Sequence, residues 1–169
     1  MQRTEIRPES SRDVDKIRAI TIDAFQEMPF SDGDEQDVID RLRSAGALTL
    51  SFVAELEEQI VGHIAFSPAR ISDASNPWFA LGPVSVSPAY QRLGIGSTMI
   101  ERGIVELQSI GALGCILTGN PLYYRRFGFE VSPQLAPDNE PAEYFMLRLL
   151  SSVKPKGKFM FHEAFYDAA

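Results

Sequence analysis

Cysteine is nearly absent from this chain of 169 residues, which contains one, Cys115. A single thiol excludes an internal disulfide framework and any metal site built from several cysteines. Cys115 lies in the apolar run Leu113-Gly114-Cys115-Ile116-Leu117, where a free cysteine more often packs as a small hydrophobe than acts as a nucleophile. We therefore expect Cys115 to be a core residue.

Long apolar runs are also absent, and no segment approaches the roughly 18 apolar residues of a membrane-spanning helix. The start, Met1-Gln2-Arg3-Thr4-Glu5, is polar and leads into no apolar segment of the kind found in secretory signals. These features predict a cytoplasmic protein without a membrane partner. The length predicts a single domain over residues 1–169, either a monomer or a homodimer.

Basic charge is scarce, because 16 Lys and Arg residues face 23 Asp and Glu residues, for a net charge of −7. Nucleic-acid binding is therefore not expected, since it requires a basic surface. The two histidines, His63 and His162, have no cysteine or carboxylate at ligand spacing, so no metal site is expected.

Lysine and arginine are missing altogether between Arg18 and Arg41, whereas acidic residues are frequent there. One interpretation is a solvated helical face, and the other is a functional acidic rim. The acidic residues concerned are Asp23, Glu27, Asp32, Asp34, Glu35, Asp37 and Asp40.

Hydrophobic periodicity predicts an α/β protein with a mixed sheet. The strands expected are 3–7, 48–56, 59–66, 78–86, 112–118, a short one after Gly128, and 143–149, with 157–161 as a further candidate. The helices expected are 10–25, 34–44, one from Ile95 to Gly111, and 122–127. Strands 48–56 and 59–66 form a hairpin around Glu57-Glu58. A helix that joins strands 78–86 and 112–118 requires a right-handed crossover and a parallel pair, which gives helices on both faces of the sheet.

The segment after strand 78–86 reads as a glycine-containing turn that enters a helix directly. Glycine allows a sharp turn and close approach to a ligand, and the first N–H groups of the helix lack internal partners, so the segment is typical of a pyrophosphate site. A P-loop would need Lys-Ser/Thr after Gly96, where Ser97-Thr98 stands, and a dinucleotide fingerprint would need a third glycine, where Met99 stands. An ordinary strand-turn-helix joint remains the alternative.

The pattern Gln91-x-x-Gly94-x-Gly96 fits neither of these motifs. It resembles the acyl-CoA pyrophosphate loop of the GNAT family of N-acetyltransferases. A second segment, from Thr118 to Glu130, is similar to the other signature of that family, with Asn120 after a strand and Tyr124 four residues before Gly128. The resemblance covers about residues 4–150 and leaves 151–169 as a C-terminal extension. It implies the acyl-CoA N-acyltransferase fold, with a largely antiparallel mixed sheet and a splayed pair of central strands.

The resemblance also implies roles for individual residues. Acetyl-CoA would be the cosubstrate, and Tyr124 would protonate the leaving thiolate. A backbone N–H of the strand that carries Val84 and Val86 would stabilise the oxyanion. The acidic stretch from Asp23 to Asp40 would border the acceptor pocket. The cofactor would contact Val84, Ser85, Val86, Gln91, Arg92, Leu93, Gly94, Ile95, Gly96, Ser97 and Asn120.

The general base stays open, because strand 78–86 contains no acidic residue and no histidine. Glu55 and His63 on the hairpin are the nearest candidates, but surface or core roles suit both better, and bulk water would also serve. Whether Arg92, Arg125 or Arg126 contacts the cofactor is likewise open. We expect direct acetyl transfer to a primary amine, either a small cationic molecule or a Lys or N-terminal amine. The alternatives are a non-catalytic acyl-CoA-binding or regulatory module and a nucleotide-binding enzyme.

Overall fold

The structure is a computed structural model and describes residues 3–26, 28–29 and 31–166. Glu27 and the first two residues, on which some of the predictions rest, lie outside the described part. The strands are β1 (Glu5–Pro8), β2 (Leu50–Leu56), β3 (Gln59–Ile71), β4 (Trp78–Val86), β5 (Gly114–Thr118), β6 (Glu130–Val131), β7 (Phe145–Leu149) and β8 (Phe159–Met160). The helices are α1 (Val14–Phe25), α2 (Glu35–Ser44), α3 (Ile95–Ser109) and α4 (Pro121–Tyr124).

The strands form one open mixed sheet in the order β1-β2-β3-β4-β5-β7-β6, with β8 paired to the end of β3. Antiparallel pairing joins β1 to β2, β2 to β3, β5 to β7 and β6 to β7. β4 and β5 are parallel, with the register Trp78–Gly114, Phe79–Cys115 and Ala80–Ile116. The predicted mixed, largely antiparallel sheet and its parallel pair are confirmed.

The chain divides into two compact units. Unit 1 contains the described residues up to Phe66, Gly82–Gly103 and the segment that begins at Ala164. Unit 2 contains Ser67–Leu81 and Ile104–Glu163. The single-domain assignment over residues 1–169 stays a prediction.

Unit 1 is built on the β2–β3 hairpin, whose turn residues Glu57 and Glu58 both adopt positive φ angles, of 51° and 66°. Two consecutive left-handed residues match the twist of a two-residue hairpin turn. β3 is longer than predicted, because it continues through Pro68 to Ile71. Proline removes one ladder donor, but its fixed φ is compatible with extended backbone, so it does not end the strand.

Helices cover both faces of the sheet in unit 1, as predicted. Val53 of β2 packs with Ile17 and Ile20 of α1 and with Ile39 of α2. The next position along faces α3, since Ala54 is paired with Gly62, and a β-carbon on Gly62 would lie 3.0 Å from Met99 Cε. The period of two along a strand therefore sends alternate residues to the two helical layers.

Unit 2 has an aromatic core. The ring of Trp78 meets that of Phe159 edge-on at 5.0 Å, and Phe145 lies 5.8 Å from Phe159. Cys115 is fully buried, as predicted, and burial raises the pKa of its thiol. The helix predicted over 122–127 is shorter, because α4 ends at Tyr124 and a 3-10 turn follows over Arg125–Phe127. Gly128, with φ of +85°, ends that turn.

Candidate active site

The connection from β4 to α3 is fixed at its start. Gln91 Nε2 donates a hydrogen bond to the carbonyl oxygen of Val86 at 2.9 Å, which ties the predicted loop back to the end of β4. Ser87 N donates to the carbonyl oxygen of Val61 at 2.8 Å, so β3 anchors the same connection. The loop therefore leaves the sheet from a defined position.

Gly94 is the residue at which the loop turns into α3. Its φ of +84° and the φ of +67° at Arg92 lie in the left-handed region. Residues with a β-carbon disfavour this region, whereas glycine does not. We expected both Gly94 and Gly96 to bend the chain. Gly96 instead lies inside the first turn of α3, so the bend belongs to Arg92 and Gly94.

The N-terminus of α3 presents backbone donors to solvent. Thr98 N and Thr98 Oγ1 both donate to the carbonyl oxygen of Gly94, at 3.1 and 2.9 Å. The helical hydrogen-bond ladder therefore starts at Thr98, and the N–H groups of Ile95, Gly96 and Ser97 precede it. The adjoining loop is exposed, with Leu93 67% accessible. Free donors and the positive end of the helix dipole together favour an anion here.

β4 brings three of the predicted residues to the same end of unit 1. Val84 and Val86 are half-buried, whereas Ser85 is buried, at 1% exposure. The hydroxyl of Ser85 has no hydrogen-bond partner among the described residues. A buried hydroxyl without a partner is uncommon in native proteins and calls for an explanation.

The second predicted segment lies in unit 2. Asn120 caps α4, because its Oδ1 accepts a hydrogen bond from Leu122 N at 3.0 Å, and Pro121 occupies the first helical position. Its side chain is thus used locally. Tyr124 follows on the same helix, with its backbone N–H bonded to the carbonyl oxygen of Asn120 at 3.0 Å.

Tyr124 is held by aromatic neighbours. Its ring meets those of Tyr123 at 5.0 Å and Phe129 at 6.2 Å, both edge-on. Within the described part of the chain its hydroxyl makes no hydrogen bond. Burial raises the pKa of Tyr124, so the group keeps its proton near neutral pH.

The three arginines with open roles differ in their surroundings. Arg126 stacks on the ring of Tyr123 at 4.7 Å and donates from Nε to the carbonyl oxygen of Tyr123 at 3.0 Å. Arg125 and Arg92 are exposed. Arg92, in the loop before α3, lies beside the free helical donors.

Both candidate bases are engaged in unit 1. Glu55 accepts a hydrogen bond from Arg7 Nε at 3.1 Å. His63 is fully buried, with Nε2 2.8 Å from Ser51 Oγ and 3.7 Å from Glu9 Oε1. Glu9 also binds Arg43 NH2 at 3.0 Å and accepts from Ser51 Oγ. The sequence contained no signal for this polar network, because its members are far apart along the chain.

Three acids of the stretch, Asp34, Asp37 and Asp40, are paired with arginine. Arg18 NH1 lies 3.2 Å from Asp37 Oδ1 and 2.5 Å from Asp40 Oδ2, and Arg41 NH2 lies 3.7 Å from Asp34 Oδ2. These contacts favour the interpretation as a solvated helical face for α2.

Among the described acids of the stretch, Asp23 is the one that lines a cleft of about 460 Å³. The cleft walls combine apolar and polar groups, and Gln91 of the β4–α3 loop is one of them. The other lining residues are Ala24, Gln26, Met28 and Pro88. The cleft therefore brings a carboxylate next to apolar side chains and to the β4–α3 loop.

The acetyltransferase (GNAT) domain family matches residues 48–131. A GNAT family acetyltransferase from Brucella melitensis, solved in complex with acetyl-CoA, is 42% identical, with a TM-score of 0.87 over 98% of this chain and 100% of that one. This chain belongs to the GNAT family. The matched segment contains the β2–β3 hairpin, the loop from Gln91 to Gly94 and the Tyr124 helix.

Two further comparisons concern YhbS of Escherichia coli, an uncharacterized N-acetyltransferase. The protein of strain K12 is 32% identical over 117 residues, which are 69% of this chain and 70% of YhbS. The E. coli YhbS structure in complex with CoA has a TM-score of 0.90 at 27% identity and covers 100% of this chain and 95% of that one. The GNAT assignment thus extends over nearly the whole chain.

Two features are absent from the described residues. Among them, no helix has the length and apolar character needed to cross a membrane. The same residues contain no group of three or more His, Cys, Asp or Glu side chains arranged to hold a metal ion.

Proposed function

We propose that this GNAT protein transfers the acetyl group of acetyl-CoA directly to a primary amine. The observation that carries the proposal is the continuous path from β4 through the Gln91–Val86 hydrogen bond to the free donors at the start of α3. Membership of the acetyltransferase family supports the reaction class. The acetyl-CoA and CoA complexes of the Brucella and E. coli proteins support the cosubstrate.

The residues of the β4–α3 connection fit an acyl-CoA. Its pyrophosphate would accept hydrogen bonds from the N–H groups of Ile95, Gly96 and Ser97, and the left-handed Gly94 keeps the approach clear. Arg92 would add a positive charge beside it. The backbone of β4 around Val84 and Val86 would bind the pantetheine arm in the manner of an added strand.

The reaction needs a neutral amine and a stabilised oxyanion. A lysine-like amine of pKa near 10.4 is about 3.4 pK units from neutrality at pH 7, which costs about 4.6 kcal/mol. The neutral nitrogen attacks the thioester carbonyl carbon, and a backbone N–H of β4 would stabilise the oxyanion. The C–S bond then breaks and CoA leaves as its thiolate.

Tyr124 would supply the proton to that thiolate. The hydroxyl carries a proton when the sulfur becomes negative, as a general acid must. Burial raises its pKa, which makes the proton harder to give, but burial would destabilise the thiolate in the same way. Its hydroxyl is uncommitted within the described part of the chain, whereas its ring is fixed by Tyr123 and Phe129. A rigid ring with a free hydroxyl suits proton donation at one position.

The acceptor would be cationic. Asp23 makes no ion pair with the described residues, and it lines the cleft that also contains Gln91. A carboxylate at this place attracts an ammonium group, and Ala24, Met28 and Pro88 suit an aliphatic chain. A small cationic amine and a Lys or N-terminal amine of a peptide share this chemistry.

The proposed function is tested by incubating the purified protein with acetyl-CoA and a panel of amines. The panel contains cationic diamines, neutral and anionic amines, and a lysine-containing peptide. Free thiol is followed by a chromogenic reagent and the product by mass spectrometry. Acetylated cationic amines with matching thiol release support the proposal. Tight CoA binding without thiol release from any amine would instead make the protein an acyl-CoA-binding module.

A further inference from the structure

His63 is a buried titratable residue in unit 1 for which the proposed reaction has no role so far. Its side chain is inaccessible to solvent, and its Nδ1 has no hydrogen-bond partner among the described residues. Its other nitrogen, Nε2, lies 2.8 Å from Ser51 Oγ. A buried imidazole with one committed and one unused nitrogen is positioned to receive a proton.

The tautomer of His63 follows from its neighbours. Ser51 Oγ donates its only proton to Glu9 Oε1, so the same oxygen must accept from His63 Nε2. Nε2 therefore carries the hydrogen, and Nδ1 is left as a lone-pair acceptor. The carboxylate of Glu9 is fixed in turn by Arg43, at 3.0 Å.

His63 lies on β3, between β2, which carries Ser51, and β4. β3 and β4 are neighbours joined by the short connection 72–77 and therefore run antiparallel. Ser87 N bonds to the carbonyl oxygen of Val61 at 2.8 Å, so a step of two residues along each strand sets Ser85 opposite His63. Residues opposite one another share a face of the sheet.

Ser85 and His63 thus each carry one unpaired buried polar atom on the same face of the sheet. Ser85 Oγ has no partner among the described residues, as is also true of His63 Nδ1. A hydroxyl hydrogen and a lone pair are complementary. The contacts from His63 through Ser51 to Glu9 are already formed. Ser85 Oγ and His63 Nδ1 are not hydrogen-bonded to each other in this structure, so the proposed relay requires the Ser85 hydroxyl to turn toward Nδ1 when the substrates bind, as catalytic contacts often tighten in the loaded enzyme.

We propose that His63, through Ser85, takes the proton that the acceptor amine loses during acetyl transfer. This inference rests on the proposed function, because it assumes that the thioester lies along β4. The amine nitrogen bonds to the carbonyl carbon and gives one proton to Ser85 Oγ, whose own proton passes to His63 Nδ1. The imidazolium formed is stabilised by the Glu9 carboxylate, as in a serine–histidine–carboxylate arrangement.

The proton balance closes without a further reactant. The proton on His63 Nδ1 returns through Ser85 Oγ to solvent after the acetylated amine has left, so Nε2 keeps its hydrogen and the resting tautomer is restored. The thiolate takes a proton from Tyr124, which is replenished from water. His63 is therefore a positioning and relay residue, and it supplies the base that β4 lacks.

Several charged groups set the protonation of His63. Glu9, which follows β1, favours the imidazolium, whereas Arg43 of α2 and burial both disfavour it and hold the pKa of His63 below its usual value. Ser51 of β2 and Ser85 of β4 are neutral. A neutral imidazole at pH 7 is the form that accepts a proton.

The direct test is the 15N NMR spectrum of protein labelled in its two histidines, with His162→Gln to assign the His63 signals. The expected result at pH 7 is a neutral ring with hydrogen on Nε2 and none on Nδ1. A His63 ring protonated on Nδ1, or one charged at pH 7, would overturn the proposal. This readout does not depend on turnover, so it judges the relay even if no amine is acetylated.

The kinetic test uses His63→Gln and Ser85→Ala, with Ser67→Ala as the matched control. Ser67 is another fully buried serine whose hydroxyl lacks a partner among the described residues, and it has no place in the relay. For the amine that the panel identifies, kcat should fall about 100-fold in the first two variants, with the Kd for CoA within about twofold of wild type. The acidic limb of the pH profile should disappear in His63→Gln.

Unchanged kcat in a folded His63→Gln protein would contradict the relay, as would equal losses in Ser85→Ala and Ser67→Ala. Failure of the proposed function looks different. In that case wild type itself releases no thiol with any amine, whatever the NMR spectrum shows.

Discussion

Gly119 leaves the space that the ring of Tyr124 occupies. A β-carbon on Gly119 would lie 2.7 Å from Tyr124 Cε2, closer than real β-carbons approach other atoms. The ring therefore packs against backbone where β5 ends, and it cannot swing toward that side. This fixed ring with an uncommitted hydroxyl is the basis of the first prediction.

Tyr124→Phe should lower kcat about 100-fold, the usual contribution of a general acid, while the Kd for CoA changes by less than about twofold. The ring and its packing are kept, and only the proton donor is lost. Thiol-release kinetics and calorimetry measure the two quantities. Tyr123→Phe, which removes the neighbouring hydroxyl, is the control, and equal activity of the two variants would rule out the acid role of Tyr124.

Asp23→Asn should raise the KM for cationic amines about tenfold and leave that for acetyl-CoA unchanged, because only the charge of the cleft is removed. Asp32→Asn serves as control, since Asp32 is an exposed member of the same acidic stretch and is not among the cleft residues. If the two variants shift KM alike, general surface charge and not the cleft selects the acceptor.

Gly103→Ala should destabilise the protein by about 1–3 kcal/mol or more, since overpacking a filled core forces side chains off their rotamers. The added methyl would lie 2.2 Å from ring atoms of Phe66, which is fully buried. Urea unfolding measures the change. Val105→Ala, on the exposed side of α3, should change the free energy of unfolding by less than about 0.5 kcal/mol, and a similar loss in both would refute the packing argument.

Stability should fall in two steps as the pH is lowered. Burial keeps the folded-state pKa of His63 below the ordinary 6.5, so below about pH 6.5 the unfolded chain binds the extra proton and stability declines. Burial raises the pKa of Glu9, but its contacts with His63, Arg43 and Ser51 outweigh burial and lower that pKa from 4.5 to about 2. The stabilisation by Glu9 is therefore present above about pH 4.5 and is lost toward pH 2.

Urea midpoints measured from about pH 8 to pH 3 check both steps. His63→Gln should remove the first decline, and Glu9→Gln should reduce the second. A residual second decline is expected, because Arg7 also depresses the pKa of Asp13. A free energy of unfolding that rises as the pH is lowered from about 6.5 to about 5 would contradict the burial of a neutral His63.

The sequence predicts elements well where local chemistry decides them. β4 matches its predicted bounds, and the Glu57-Glu58 turn forms the predicted hairpin, because both depend on side-chain pattern and turn geometry. β3 was predicted too short, since Pro68 is a local stop signal that the neighbouring strands override. The sheet order depends on pairing between distant segments, and it was not predicted; the family resemblance implied only the type of sheet.

The candidate site was predictable only where it is continuous in sequence. The loop from Gln91 to Gly94 and the Asn120–Tyr124 helix are motifs, so they were found, although the bend proved to belong to Arg92 and Gly94. The network of Glu9, Ser51, His63 and Ser85 has no motif, because each residue sits on a different segment. The ion pairs of Arg18 with Asp37 and Asp40 were hidden for the same reason.

The central claim is that the loop before α3 holds the pyrophosphate of acetyl-CoA, and calorimetric CoA affinity of Gly94 variants tests it most directly. Gly94→Gln and Gly94→Glu have the same size and the same strain at φ +84°, so their difference isolates the charge. We predict that CoA binds at least tenfold more weakly to Gly94→Glu than to Gly94→Gln. A tenfold difference in Kd corresponds to about 1.4 kcal/mol of binding free energy. Equal and undiminished affinity in both folded variants would contradict the account.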